Sequence, residues 1–216
     1  MKHEHLSGFS RRDFLVRGSL YGGSLWIAAN LPRPKALQAA QASREPAVLS
    51  KHEWATVEAI CARIVPTDHE PGAREADCVN FIDKALANED AQALPLYRLG
   101  VEGIDAVAQQ RSEQSFVALE PAEQDAVLVV LESGQAPGWP AGPIPAQVFF
   151  ETARAHTIIG FLADPKYGGN RGFAGWRVAG YPGPRHHLGG YSRAQMLGEA
   201  PISPVWEPAK KPAKNT

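Results

Sequence analysis

Residues 146–163 read AQVFFETARAHTIIGFLA, and this stretch decides the fold class. Its length and apolar content predict one long helix of about five turns. The residues before it, SGQAPGWPAGPIP at 133–145, are typical of turns, and a glycine-rich segment follows it. Its apolar residues are Phe149, Phe150, Ala153, Ile158, Phe161 and Leu162.

Four further helices are predicted upstream of this stretch. Ser50 and Glu53 form a capping box that begins a helix, and Pro66 ends it. The helical period returns over 78–87 and 94–110, and a last helix runs from Pro121 to Glu132. No stretch alternates as a half-buried strand would. We therefore expect an all-α single domain of about five helices, followed from 164 by a long irregular Gly/Pro-rich C-terminal segment.

The first 42 residues are typical of a bacterial export signal. A basic start precedes the uncharged stretch GSLYGGSLWIAANL, which is shorter than the roughly 20 residues of a membrane-spanning helix, and the small-x-small site Ala40-Gln41-Ala42 follows. A buried N-terminal helix is the alternative, and the glycines disfavour it. The signal resembles the twin-arginine type through Arg11, Arg12, Phe14 and Leu15. Because that pathway carries folded proteins, we expect a periplasmic protein delivered by the twin-arginine translocase.

These patterns divide the chain into four parts: a signal at 1–42, a linker at 43–49, a helical domain at 50–190 and an irregular tail at 191–216. The formal net charge of the whole chain is −1, so no electrostatic argument favours nucleic-acid binding. Without 1–42 the chain retains 16 basic and 21 acidic residues, a net charge of −5 that suits a soluble periplasmic protein.

The chain has two cysteines, Cys61 and Cys78. If the protein is exported, an oxidising compartment would favour a disulfide between them, and the alternative is two unpaired buried thiols. Two cysteines are too few to hold an iron–sulfur cluster, and no C-x-x-C-H motif for covalent haem is present. We therefore expect no redox centre and no cofactor in this chain.

A metal site is one candidate chemistry. His156, Asp164 and His186 could converge on an ion, and a stand-alone periplasmic metal-dependent enzyme built on them is the alternative function. No metal-binding motif such as H-E-x-x-H supports it, and adjacent histidines such as His186 and His187 diverge in extended chain. His156 is therefore expected to be a hydrogen-bonded histidine of the core or of an interface.

Residues 164–176, DPKYGGNRGFAGW, are the most unusual segment. The segment follows a helix rather than a strand and lacks both G-x-G-x-x-G and the P-loop motif, which excludes a nucleotide-phosphate cradle of these types. Tyrosine, tryptophan and arginine are the residues that anchor protein–protein interfaces. A self-packed loop that caps the helices is the alternative, and the two are compatible. Tyr167, Asn170, Arg171 and Trp176, together with His156, are the residues predicted to form or shape a partner interface.

Three stretches carry a family resemblance: PGAREADCVNFIDKAL at 71–86, FVALEPAEQDAVLVVLE at 116–132 and ARAHTIIGFLADPKYGGNRGFAGWRVAGYPGP at 153–184. Together they resemble the gluconate 2-dehydrogenase subunit 3 family over roughly 50–183.

This resemblance implies a small, helical, non-catalytic subunit of a membrane-associated dehydrogenase complex. The large partner subunit would be a flavoprotein of the glucose–methanol–choline type that carries FAD and oxidises a sugar or sugar acid. A cytochrome c subunit with haem c would pass on the electrons. The flavoprotein would lack its own signal and be exported while bound to this chain.

Overall fold

The structure is a computed structural model that describes residues 45–184 and 190–204. Within these residues the chain forms α-helices and short 3₁₀ turns, and no strand. The expectation of an all-α fold is therefore confirmed. The α-helices are α1 (Lys51–Ile64), α2 (Cys78–Ala87), α3 (Leu94–Ser112), α4 (Pro121–Glu132), α5 (Ala146–Leu162), α6 (Ala174–Val178) and α7 (Arg193–Met196).

The predicted long helix, α5, lies at the centre of the fold. It packs against α1, α2, α3 and α4. Phe149, Ala153 and Phe161 are almost completely buried on it. Ile158 is only half-buried, because it lies on a part of the helix that its neighbours do not cover completely. The five long helices are the five that the sequence predicts, with ends within two residues of those expected.

Local interactions at the helix ends explain why the helices begin where they do. The Ser50 hydroxyl accepts the backbone N–H of Glu53, and the Glu53 carboxylate accepts the N–H of Ser50 at 2.6 Å, which completes the capping box of α1. At α4 the same arrangement uses Glu120 and Glu123, with Pro121 at the first helical position. In each helix the capping box thus satisfies two backbone N–H groups, those of the N-cap residue and of the third helical residue.

Helix α3 lies close to α5 and to the segment that precedes it, because it has glycine at two positions. A Cβ atom at Gly100 would lie 2.1 Å from the ring of Phe149, and one at Gly103 would lie 2.7 Å from the ring of Trp139. The indole N–H of Trp139 donates to the Ile144 carbonyl at 2.8 Å, which holds the turn-rich segment before α5 against α3. Leu99 of α3 is 41% exposed.

Residues 47–49, predicted as part of a linker, are bonded to the helical domain. The buried carboxylate of Asp83 in α2 accepts the backbone N–H groups of Ala47 at 2.5 Å, Val48 at 3.1 Å and Leu49 at 2.9 Å. Asp83 is 2% exposed and Leu49 5%. Residues 47–49 are therefore held against the helical domain by α2.

The predicted disulfide is not present in the structure. Cys61 and Cys78 are both free and both buried. The sulfur of Cys61 lies 3.2 Å from the hydroxyl of Thr157 in α5, so it is hydrogen-bonded to a different helix from the one that carries Cys78. Spacing along the chain predicted the pair but could not supply the geometry that a disulfide requires.

Other predictions fall outside the described residues. These are the export signal with Arg11, Arg12, Phe14 and Leu15, and His186 of the metal alternative. Within the described part of the chain, none of the helices has both the length and the apolar character that crossing a bilayer requires.

Candidate functional site

The glycine-rich segment packs against the loop that leads into α2. The backbone N–H of Arg171 donates to the Ala76 carbonyl at 3.0 Å, and the side-chain amide of Asn80 donates to the Gly168 carbonyl at 2.7 Å. The Arg171 guanidinium lies 3.4 Å from the carboxylate of Asp77. Two stretches that lie about 90 residues apart in the sequence thus form one surface.

Asn170 holds the segment in place from below. Its side chain is completely buried, and its backbone has a left-handed conformation with φ of 44°. Its side-chain amide donates to the Ala163 carbonyl at 2.8 Å, while its side-chain oxygen accepts the N–H of Gly175 at 2.8 Å. Its own N–H donates to the Gly160 carbonyl at 2.7 Å. Asn170 therefore ties the end of α5 to the start of α6 and shapes the surface without being exposed on it.

The glycine beside Asn170 permits a backbone-to-backbone contact with α5. A Cβ atom at Gly169 would lie 2.2 Å from the Gly160 carbonyl oxygen, closer than any real Cβ approaches an oxygen. The segment therefore lies directly on the last turns of the central helix.

Left-handed backbone conformations continue beyond Asn170. Gly172 has φ of 61° and Phe173 has φ of 62°. A large side chain in this region is uncommon and costs on the order of 1–3 kcal/mol unless its surroundings impose the conformation. The hydrogen bonds of Asn170 supply that constraint, and the result is an exposed corner at Arg171 and Gly172.

Three aromatic residues form a cluster next to this corner. Trp176 is 6% exposed, and its indole N–H donates to the Leu162 carbonyl at 2.7 Å. Phe173 stacks on it with ring centroids 5.4 Å apart, and Tyr181 meets it edge-on at 5.0 Å. Trp176 is thus the inner member that shapes the surface, while Phe173 and Tyr181 form its outer part.

Tyr167 lies at the beginning of the segment. The ammonium group of Lys166 lies 4.8 Å from the centroid of its ring, which is a cation–π contact. Asp164 accepts the N–H of Lys166 at 3.0 Å and caps a short 3₁₀ turn at Pro165–Tyr167. Partial burial raises the pKa of the Asp164 carboxyl above its ordinary value.

His156 belongs to a separate buried network. The Tyr97 hydroxyl lies 3.0 Å from its Nδ1, and the Asp90 carboxylate lies 3.0 Å from its Nε2. Both ring nitrogens are therefore engaged, and Tyr97 is completely buried. Burial lowers the pKa of His156, and the negative charge of Asp90 opposes that effect. The network joins the α2–α3 connection to α5.

This network argues against the candidate metal site, because His156 was its main expected ligand. His156 has no ring nitrogen left for an ion, and the described residues contain no group of three or more His, Cys, Asp or Glu side chains that could hold a metal. Asp164 is engaged in its turn instead.

Sequence reasoning did not single out Asp77, Asn80 and Tyr181 as interface residues. Asp77 and Asn80 lie in the stretch at 71–86 that carried the family resemblance, but nothing in the sequence indicated that this stretch contacts the glycine-rich segment. Tyr181 lies five positions after Trp176, so extending the aromatic criterion by that distance would have found it.

Comparison with protein-family models places the chain in a known family. The model of the family described as gluconate 2-dehydrogenase subunit 3 matches residues 51–183, which contain α1 to α6 and the glycine-rich segment. Searches of curated proteins and of solved structures give no match. Since the matched region is more than half of the chain, the protein belongs to the gluconate 2-dehydrogenase subunit 3 family.

Proposed function

We propose that this protein is the non-catalytic small subunit of a periplasmic, membrane-associated, FAD-dependent dehydrogenase of sugars or sugar acids. The large subunit, of the glucose–methanol–choline type, would carry FAD, and a cytochrome c subunit with haem c would take the electrons. This chain would hold no cofactor itself. It would help the flavoprotein to fold and deliver it to the twin-arginine translocase.

The family match is the observation that carries this proposal, because the family is defined as one subunit of a dehydrogenase complex. The geometry adds a second argument. The most unusual segment of the sequence forms a surface corner that the hydrogen bonds of Asn170 and Trp176 hold in place. A surface of this kind suits a chain whose task is to bind another protein.

The arginine pair at the N-terminus supports the export role. Arg11 and Arg12 precede a short uncharged stretch, and a chain that needs no cofactor for its own folding has little reason to use a pathway for folded proteins unless its cargo does. A flavoprotein must bind FAD in the cytoplasm before export, so a small subunit that supplies the signal would meet that need.

Co-expression tests this function. The FAD-dependent large subunit of the source organism would be expressed with the intact chain, without it, and with a chain carrying Arg11→Lys and Arg12→Lys. We expect flavin-dependent dye reduction in the periplasm only with the intact chain, and retention of an active complex in the cytoplasm with the double lysine variant. Equal periplasmic activity with and without the chain would refute the proposal.

The alternative of a stand-alone metal-dependent enzyme gains no support from the described residues. His156 is occupied by Tyr97 and Asp90. Elemental analysis of the purified protein would detect a stoichiometric ion, and such an ion would revive that alternative.

A further inference from the structure

Part of the glycine-rich segment at 164–184 lies at the protein surface, and its side chains there have few contacts with the rest of the domain. We call it the glycine-loop face and define it as Arg171, Gly172, Phe173, Arg177 and Tyr181. Four of these residues are exposed and Phe173 is half-buried. The guanidinium of Arg177 lies 3.7 Å from the position that a Cβ of Gly172 would take, and Phe173 and Tyr181 both contact Trp176. The five residues therefore form one continuous surface.

The left-handed backbone at the exposed corner is held by the hydrogen bonds of Asn170, and crowding around Gly172 does not require it. A side chain on Gly172 would have open space apart from Arg177, so the glycine is required only by its φ of 61°. Phe173 takes a similar conformation with a large side chain. Strain that the fold imposes on an exposed corner is a mark of functional segments, since packing alone would have been served by a relaxed turn.

The charges of the face are not balanced within the described part of the chain. Arg177 makes no ion pair there, and Arg171 has a single contact, at 3.4 Å, with Asp77. The segment 164–184 has three basic residues, Lys166, Arg171 and Arg177, and one acidic residue, Asp164. The chain without its first 42 residues has a net charge of −5, so a basic surface lies on an acidic protein. A partner drawn to it would carry carboxylates.

The two ends of this chain and a second copy of it are less suitable partners for the basic glycine-loop face than an acidic protein. The C-terminal residues 205–216 contain three lysines and one glutamate, and the first 42 residues have six basic and two acidic residues. Both ends of the chain would be repelled by the arginines. In a symmetric dimer through this face, arginines would meet arginines. A different, acidic protein surface is the remaining occupant.

We propose that the glycine-loop face binds an acidic surface of the FAD-dependent large subunit. Arg177 and Arg171 would form forked hydrogen bonds to its carboxylates, while Phe173 and Tyr181 would pack on apolar groups between them. Asn170 and Trp176 would act as positioning residues that hold the face in shape. This inference rests on the proposed function, because it takes the large subunit as the partner.

The test uses the intact complex and charge variants of this chain. The large subunit would be co-purified with the wild-type chain and with Arg177→Glu, Arg177→Lys and Arg171→Gln, and the dissociation constant would be measured at low and high salt. Arg111→Glu is the matched control, because Arg111 is an exposed arginine at the end of α3. Thermal unfolding of each isolated variant would verify that the fold is kept.

We expect Arg177→Glu to weaken the complex by at least about tenfold and to reduce its salt dependence, while the control stays within about twofold of wild type. Arg177→Lys would weaken it less than Arg177→Glu, since the charge remains but the fork is lost. If the wild-type complex forms and Arg177→Glu and Arg171→Gln bind as tightly, the assignment of this face is overturned while the proposed function stands. If the wild-type chain does not associate with the large subunit, the proposed function itself fails.

Discussion

Asn170 is the residue that combines the most structural roles. Its left-handed backbone lets the chain turn over α5, and its buried amide satisfies a carbonyl and an N–H on opposite sides of the turn. Asparagine is among the few non-glycine residues that adopt this conformation readily. A surface loop that docks on a partner needs such a fixed base, because a mobile loop would lose entropy on binding.

The two roles of Asn170 can be separated by substitution. Asn170→Gly keeps the backbone conformation and loses both side-chain bonds, so we expect it to lower the free energy of unfolding by about 1–3 kcal/mol. Asn170→Ala loses the same bonds and adds the cost of a Cβ in the left-handed region, about 1 kcal/mol more. Chemical denaturation measures both values. If alanine were as stable as glycine here, the left-handed conformation would not hold in solution.

His156 predicts a dependence of stability on pH. Its pKa is lowered in the folded protein, mainly because burial disfavours the charged ring, from an ordinary value of 6.5. The unfolded chain therefore binds the proton more readily, and the free energy of unfolding falls as the pH drops below about 6.5. Above that pH His156 is neutral in both the folded and the unfolded chain, so this loss of stability does not occur. The fall can reach about 1.4 kcal/mol per pH unit for one proton.

The measurement compares urea unfolding of wild type and His156→Gln between about pH 5 and pH 7.5, a range centred on the ordinary histidine pKa. The variant should lose most of the slope below about pH 6.5. His69→Gln is the control, because the side chain of His69 is 85% exposed. A wild-type slope that persists in the His156 variant would assign the effect to other groups.

At the scale of elements, Asp83 connects α2 to the residues that precede α1. A buried carboxylate with three backbone donors is charge-compensated only while residues 47–49 stay in place. Asp83→Asn would turn an NH₂ group toward a backbone N–H, and we expect a loss of about 2–4 kcal/mol of stability.

Hydrogen exchange gives the specific readout for this link. The amides of Ala47, Val48 and Leu49 should exchange at least about tenfold faster in Asp83→Asn than in wild type, beyond the change of global stability. Glu89→Gln, an exposed carboxylate just beyond α2, serves as the control. Unchanged protection at these three amides would show that Asp83 does not hold the segment.

The contact between α3 and α5 depends on Gly100. A methyl group there would overlap the Phe149 ring, so Gly100→Ala should destabilise the protein by about 1–3 kcal/mol or more, although alanine favours helix. Adding Phe149→Leu should recover part of the loss, giving a coupling between the two sites in a double-mutant cycle. Gly142→Ala meets no atom within 4 Å and should be neutral. Additive effects of Gly100→Ala and Phe149→Leu would contradict the close contact.

For the molecule as a whole, the apolar periodicity of the sequence was sufficient to predict the helices. It did not predict which helices and loops contact one another. Capping boxes, prolines and apolar spacing are local signals, and the five long helices follow from them. The pairing of the α2 loop with the glycine-rich segment is a contact between distant residues, which no local pattern encodes. The same limit explains why His156 was recognised as hydrogen-bonded while its partners, Tyr97 and Asp90, were not identified.

The burial of Asn170 and Trp176, both predicted as interface residues, also shows that a local pattern does not reveal contacts between distant residues. Residue type indicated that Asn170 and Trp176 matter, since large aromatic and amide side chains in a glycine-rich segment need partners. Type alone could not tell whether these partners belong to this chain or to another. The structure places the contacts of Asn170 and Trp176 inside the fold and leaves the arginines outside.

The two thiols offer a test of the whole fold. Burial raises the pKa of Cys61 to about 12 and that of Cys78 well above its ordinary value, so neither forms a thiolate at neutral pH, and neither sulfur is accessible. We expect the purified protein to react with a thiol reagent only after unfolding, and then at both cysteines, without prior reduction. Its thermal midpoint should be the same with and without reductant. Protein that releases no thiol on unfolding, but two after reduction, would show that Cys61 and Cys78 are joined in a disulfide and would contradict the two free thiols of the structure.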